Sequence, residues 1–476
     1  MRQNDRFFFE GFLLALILTF LPFKAIAFTI PFIFFFLLLV RSKSGVLIKK
    51  FTFLILIAGA VLAGYFAIYL FEDHTFIVSN GILSFINYSS FLILFLIPKN
   101  IVSEKYNYEF YVKAVLPFML VEGLYGIGQR IISFFKGINH GDLVEGTINP
   151  FSAFIGSTSG FGNQFFTINL IFLLIFCLPY VYKEKKGMLT YGIAFLAVIL
   201  ASVGHAFYSL ILAVMLVLAY YEGKSVLLKP KRLMLIIAIP TVMVIAIAIL
   251  DENVYKDSAR QASLFLSGDT PKSKAIEIVF QKVSEEYSFI HFIGLGPGQY
   301  SSRAGIIASG HYGPLSDFFT KLPFFNLGMT EAFRENVLHY WLDYTKNRGY
   351  GNSTMNRPFL SLLSVYAEFG SFTFIGLVVL VAYYIYQSKK RYEKAKKMKD
   401  QTNMLLCYVF SISLLFLILI GLYENYYEAP QGVFIGTLLI FIANKFTDER
   451  AKKKLMYPTT NASVNIDSNK YLQQTN

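Results

Sequence analysis

The sequence predicts an all-α polytopic membrane protein, with about twelve transmembrane helices, one long outward loop and both termini on the cytoplasmic side. Three observations carry that expectation. Of the 476 residues, 55% are hydrophobic and the mean hydropathy is +0.52, a balance foreign to a soluble chain of this size. Apolar runs long enough to cross a bilayer recur along the whole chain. Most of the 43 lysines and arginines cluster between those runs, in alternate connections, as topology signals do. The same clustering explains the net charge of +13 without a nucleic-acid partner.

The elements follow in order. The first run, 7–23, sits after Arg2 and Arg6 and leads to Ala25-Ile26-Ala27, which imitates a secretion signal. A second run, 25–40, follows at once, so a retained helical hairpin is expected. Seven more runs lie at 51–71, 82–98, 114–135, 164–182, 188–204, 206–221 and 233–250. The pair within 188–221 must be short or tilted, with a tight turn near Gly204-His205. Residues 1–250 thus form a first membrane region, and 251–358 the long outward loop. Runs at 359–387, 403–422 and 431–445 make a second membrane region up to 456, followed by a polar tail, 457–476, expected to be disordered. Cys177 and Cys407 lie inside apolar runs and read as small buried hydrophobes.

Three outward connections have content. Residues 136–163 are rich in glycine and serine and read as an irregular lid or re-entrant piece. Residues 423–431 hold Glu424, Tyr426, Tyr427 and Glu428, and read foremost as an interfacial aromatic belt. In the long loop, Ile276, Phe280, Val283 and Tyr287 recur at helical spacing, which predicts an amphipathic helix over 272–290 lying on the membrane surface or on the core.

Several residues could carry chemistry. Arg357, Ser361, Ser364 and Glu368 recur at steps of four, three and four, a polar stripe along one helix face at the mouth of a span. Such a stripe faces protein or a wet cavity, not lipid. Gly294-Leu295-Gly296-Pro297-Gly298 follows no Rossmann unit and lacks a Lys-Ser/Thr ending, so it is no nucleotide fingerprint. It is either a turn or a backbone surface that something bulky approaches through Gly294, Gly296 and Gly298. Arg130, with Glu122 and Gln129 on the same run, is an intramembrane charge and a functional candidate for that reason. Arg303, beyond the glycine run, and Arg357 are outward guanidiniums, a shape that matches phosphate oxygens, whereas Arg334 and Arg348 read as loop solubility. His205 closes the turn after Ser202. The loop segment with Tyr340, Trp341 and Tyr344 supplies the only tryptophan. His291, His311 and His339 show no metal-ligand spacing, so neither metal nor cofactor is expected.

The order of these parts resembles the O-antigen polymerase and O-antigen ligase superfamily of bacterial envelopes. The resemblance rests on Gly294-Leu295-Gly296-Pro297-Gly298-Gln299-Tyr300, on Ala367-Glu368-Phe369-Gly370, and on Ser202-Val203-Gly204-His205, where histidine replaces the usual arginine. The loop end reads Asn356-Arg357-Pro358-Phe359-Leu360 and lacks the histidine more typical of ligases, which favours a Wzy-type polysaccharide polymerase. The resemblance implies a multi-pass protein of the bacterial plasma membrane that transfers glycan on its outer face. Donor and acceptor would be undecaprenyl-pyrophosphate-linked glycans, with membrane lipid around them and a chain-length regulator and flippase as partners. Arg130, Arg303 and Arg357 would bind pyrophosphate with His205 as helper, Glu368 or Glu122 would accept the proton of the acceptor hydroxyl, and Tyr340, Trp341 and Tyr344 would stack on sugar faces. The alternatives are a ligase moving finished glycan to a lipid or protein, and a transporter or flippase of the lipid-linked precursor.

Overall fold

The computed structural model describes residues 2–22, 24–42, 45–72, 74–97, 106–138, 141–158, 161–223, 263–310, 314–322, 326–346 and 357–456. The expected run at 233–250, most of the loop end before Arg357, the tail from 457 and the side chain of Tyr344 lie outside them. Among the described residues there are helices and turns and no strand. Six helices are long and apolar enough to cross a membrane, or seven if one bent pair is a single span.

The first three helices are α1 (Arg2–Thr19), α2 (Lys24–Ser42) and α3 (Gly45–Phe71). α1 and α2 pack as the expected hairpin, with Phe8 edge-on to Phe34 at 5.7 Å. The run at 82–98 is not one straight span. It forms α4 (Val78–Asn87) and α5 (Ser89–Leu96), bent by 68° about Tyr88. Asn87, Ser89 and Ser90 flank the bend, and residues of these types are poor helix formers. α6 (Tyr108–Phe135) is followed by two short 3-10 turns and α7 (Ser152–Ile155). The next three helices are α8 (Gly162–Glu184), α9 (Met188–Ala201) and α10 (Gly204–Glu222). α9 has only 14 residues, and the apolar part of α2, Phe28–Arg41, is similarly short, so neither counts among the six.

Two helices of nearly equal hydropathy have opposite places. The apolar stretch of α8 is 89% buried and that of α3 11%. α8 is apolar all round because it runs through the centre of the bundle, whereas α3 is apolar because it lies at the margin. Phe165, Phe166, Leu170, Phe172 and Leu173 of α8 all belong to the main core.

The long loop folds onto one end of this bundle, hereafter the loop end. It holds α11 (Pro271–Phe280), α12 (Lys282–Glu286), α13 (Ile290–Ile293), α14 (Arg303–Ala308), α15 (Pro314–Thr320), α16 (Glu331–Asn336) and α17 (Leu338–Lys346). The amphipathic helix expected over 272–290 is broken at Gln281, and its buried stripe is Ala275, Val279, Val283 and Tyr287. Phe280, expected on that stripe, is 49% exposed. The stripe joins Leu295, Tyr300, Phe333, Trp341, Phe359 and Leu363 in a second core. Trp341 is therefore a core residue, packed against Phe359 at 5.2 Å, and not an open sugar platform. Tyr340 is half-buried beside His339.

The last three helices are α18 (Ser361–Lys397), α19 (Gln401–Ile420) and α20 (Pro430–Met456). α18 is kinked at Gly370, whose backbone (φ 75°, ψ 177°) is not helical. That kink frees the carbonyls of Ala367 and Glu368, which accept the N–H groups of Leu295 and Gly296 at 2.8 Å. The crossing is close on both sides: a Cβ on Gly294 would stand 2.4 Å from the backbone of Glu368, and one on Gly370 2.2 Å from the Phe292 carbonyl. Both positions have a φ that only glycine adopts without strain. The glycine run and the Ala367–Gly370 element thus fit one another.

Candidate functional site

The polar stripe is buried and faces protein loops, one of the two surroundings expected for it. Arg357 precedes the helix, because Pro358 holds the chain extended and Leu360 is the N-cap. Ser361 Oγ donates to the Glu424 carbonyl at 2.9 Å, and Ser364 Oγ to the Ser301 carbonyl at 3.2 Å. Glu368, with no exposed surface, accepts the N–H groups of Gly298 at 2.7 Å, Tyr300 at 3.1 Å and Ser302 at 3.2 Å. Both carboxylate oxygens are thereby committed to the backbone that follows the glycine run. Glu368 therefore positions that loop. Gly294, Gly296 and Gly298 are approached by α18, by Tyr65 and Phe76, and by Asn80, so protein fills the space where a ligand was expected.

The loop so held delivers Arg303. It begins α14, with Ser302 as N-cap accepting the Gly305 N–H. The Arg303 guanidinium lies 5.0 Å from the centre of the Phe161 ring, and that of Arg357 lies 4.4 Å from the same ring. Both side chains are almost fully buried. Arg303 Nη2 donates to the Asn425 carbonyl at 3.3 Å, and Arg357 Nη1 stands 3.5 Å from Glu424 Oε2. Two guanidiniums from distant parts of the chain therefore share one aromatic ring.

The connection 423–431 forms the floor of this cluster. It is not an interfacial belt: Glu424, Asn425, Tyr426, Tyr427 and Glu428 are all buried. Asn425 Nδ2 donates to the Ser301 carbonyl at 2.9 Å. Glu428 Oε2 accepts the Arg303 N–H, and its Oε1 accepts the Tyr88 hydroxyl at 3.2 Å, so the bend between α4 and α5 reaches the same acid. Burial, reinforced by the nearby Glu368 charge, pushes the Glu428 carboxyl up to about 8. Lys272, in the first turn of α11, is buried with its ammonium on the Tyr423 carbonyl. Burial lowers it to about 8, against the opposing pull of Glu424.

His205 begins α10 and lies against both Tyr423 and Tyr426, with ring centres 5.4 and 5.8 Å away. Its Nε2 meets the Tyr426 hydroxyl at 2.6 Å, and that hydroxyl donates to Gln164 Oε1 at 2.8 Å. His205 is within electrostatic reach of Lys272 and Arg357. The histidine of the α9–α10 turn thus belongs to the arginine cluster.

The residues of α6 have another task. Glu122 accepts the N–H of Thr147 at 3.0 Å and its hydroxyl at 2.5 Å. Gln129 donates to the carbonyls of Gly146 and Asn149 and accepts the N–H groups of Glu145 and Gly146. They share a face, as their spacing implied, and that face pins the connection expected to be a lid. Asn163 ties the same segment to α9 by donating to the carbonyls of Gly141, Val144 and Ala201. Arg130 is half-buried on α6 next to Gln129, whereas the Phe161 ring takes the other two arginines.

Sequence reasoning missed Lys272, Phe161, Gln164 and Asn425, and gave Glu424, Tyr426 and Glu428 only a belt role. One signal was available: Lys272 falls in phase with Ala275, Val279 and Val283, so a lysine sits on the apolar stripe. Nothing in the order of residues brings Phe161 to Arg303 and Arg357. Among the described residues no group of three or more His, Cys, Asp or Glu could hold a metal ion. Comparison of the chain with protein-family models, with curated proteins and with solved structures finds no match.

Proposed function

We propose that this chain is a membrane glycosyltransferase. On this reading it joins undecaprenyl-pyrophosphate-linked oligosaccharide repeat units on the outer face of the bacterial plasma membrane, building O-antigen, capsular or exopolysaccharide. The observation that supports it most is the pair of buried guanidiniums, Arg303 and Arg357, over the one Phe161 ring, with Lys272 beside them. A sugar leaving group of this kind is a pyrophosphate, and charge builds on its oxygens as the bond breaks. Fixed guanidiniums in a dry site stabilise that charge without a metal. The Phe161 ring packs against both groups, and phosphate oxygens, which bind guanidinium more strongly, replace that contact.

The reaction breaks the bond between the donor's anomeric carbon and its phosphate oxygen, and the electron pair leaves with the lipid pyrophosphate. The acceptor sugar's hydroxyl oxygen bonds to that carbon. Its proton passes to a carboxylate, and Glu428, which lies in the arginine cluster with its Oε2 on the Arg303 N–H, suits this better than Glu368, which holds the loop after the glycine run, or Glu122, which holds Thr147. A flippase supplying the precursor and a chain-length regulator would be its partners. The first test is a gel of surface polysaccharide from a deletion strain carrying Arg357→Ala. Loss of long chains at a normal protein level is expected, and unchanged chain length would remove Arg357 from the site. Retained single repeat units in the deletion strain would favour a polymerase, and their complete loss from the acceptor a ligase.

A second reading, transport of the lipid-linked precursor, draws on the bend between α4 and α5, since broken spans build transport sites. Proteoliposomes decide it, because a flippase moves the precursor without lengthening it.

A further inference from the structure

A second cationic site lies at the opposite end of α18, where no substrate of the proposed reaction is expected. There α18 and α10 end side by side, joined by a hydrogen bond from the Tyr221 hydroxyl to Ser388 Oγ at 2.7 Å. Beside this joint is a cavity of about 460 Å³, lined by Lys389, Lys390, Lys394 and Lys397 of α18 together with Tyr220 and Tyr386. Among the described residues Glu393 is the one acid on its wall, so four lysines and one glutamate line it. The neighbouring Lys396 is engaged elsewhere, 3.7 Å from Glu222.

The lysines are arranged rather than scattered. Lys389 Nζ donates to the Tyr220 carbonyl at 2.8 Å and lies 4.2 Å from the centre of that tyrosine's ring. Lys390 Nζ lies 4.5 Å from the ring of Tyr386. The two rings therefore mark the wall of the cavity and hold two ammonium groups at its mouth. One or two turns toward the middle of the bundle, Leu216 of α10 and Val379 and Tyr383 of α18 expose apolar surface. A cationic cavity rimmed by tyrosines, continuing into exposed apolar side chains, fits a molecule with a phosphate head and acyl tails. The positive-inside pattern puts this end on the cytoplasmic side, where anionic lipids supply such heads.

We propose that the cavity between the ends of α10 and α18 binds the phosphate headgroup of an anionic membrane lipid. The inference does not depend on the enzyme reading. Four ammonium groups match a lipid with two phosphates better than one with a single phosphate. Bound there, the lipid bridges the ends of α10 and α18.

Native mass spectrometry of the full chain in detergent tests this. Cardiolipin, phosphatidylglycerol and phosphatidylcholine are offered in turn, with inorganic phosphate alone as a further arm. The wild-type chain is expected to retain cardiolipin best, phosphatidylglycerol less and phosphatidylcholine not above background. Lys389→Gln with Lys394→Gln should lower cardiolipin retention at least tenfold, and Glu393→Gln should raise it, a gain that misfolding cannot produce. Equal retention by wild type and the double variant would overturn the proposal. So would retention of inorganic phosphate that matches that of the lipid, which would make this a site for free phosphate.

Discussion

The two ends of α18 carry cationic clusters built on opposite principles. At the loop end, Arg303 and Arg357 are buried, share one aromatic ring and are surrounded by Glu424, Glu428 and backbone carbonyls. At the lysine end, Lys390 and Lys397 are exposed, and among the described residues the cavity has one acid. Guanidinium tolerates burial because its charge is spread and its donors are rigid, whereas ammonium keeps its water and stays at the surface. Lys272 is the exception, and its burial is what lowers it to about 8. The difference teaches that cation count alone says little. A buried, fixed cation stabilises charge that appears during a reaction, whereas an exposed, mobile one attracts charge that is already there.

The comparison can be broken most severely at the loop end. Arg303→Ala should reduce polymer formation by about 100-fold or more, the scale on which a lost preorganised donor acts. Arg303→Lys should not restore it, because one ammonium cannot reproduce the fork. Surface polysaccharide per cell, normalised to membrane protein level, reads both. Glu424→Ala would leave the buried Arg357 without its carboxylate, costing about 3–5 kcal/mol. The melting temperature in detergent should fall accordingly, and an unchanged value would mean that the ion pair is not buried as described.

A smaller effect is expected at the crossing of the glycine run with α18. Gly370→Ala forces a side chain into a conformation that only glycine adopts easily, at a cost of about 1–3 kcal/mol before any clash with the Phe292 carbonyl. Faster proteolysis of the loop around residues 290–310 is the readout, and unchanged cleavage would show that the crossing does not hold the loop.

The pH profile sharpens the comparison further. Glu428 faces the Arg303 N–H and guanidinium, the Tyr88 hydroxyl and Glu368. Its carboxyl is raised to about 8, so it is mostly protonated at neutral pH and accepts a proton only once ionised. Activity should therefore rise with pH through about 8. Glu428→Gln should abolish that limb, and an identical profile in the variant would exclude Glu428 as the base. The smallest effect belongs to the lysine end, where Lys389→Gln should leave polymer length unchanged.

Much of the fold was legible because hydropathy and charge clustering depend on composition alone. The runs that became α3, α6, α8, α10, α18 and α19 are read directly from it. Periodicity could not tell the central α8 from the marginal α3, since both are apolar all round and only neighbours distinguish them. The bend between α4 and α5 was missed because Asn87 and Ser89 interrupt an otherwise apolar run without a proline. At the site, Arg303, Arg357, His205 and Glu368 stood out as polar residues in unusual places. Glu424 and Glu428 did not, because a short acidic and aromatic connection between two spans looks the same whether it faces lipid headgroups or lies beneath a folded loop. The folded loop above it, which sequence could not supply, decides the matter.

The most direct measurement is single-turnover polymerisation by the purified full chain in liposomes containing lipid-linked repeat units. The wild type should lengthen the glycan and release lipid pyrophosphate in equal amount. Arg303→Ala and Arg357→Ala should each do neither, while Lys389→Gln proceeds at the wild-type rate. Lengthening by both arginine variants at the wild-type rate would contradict the account.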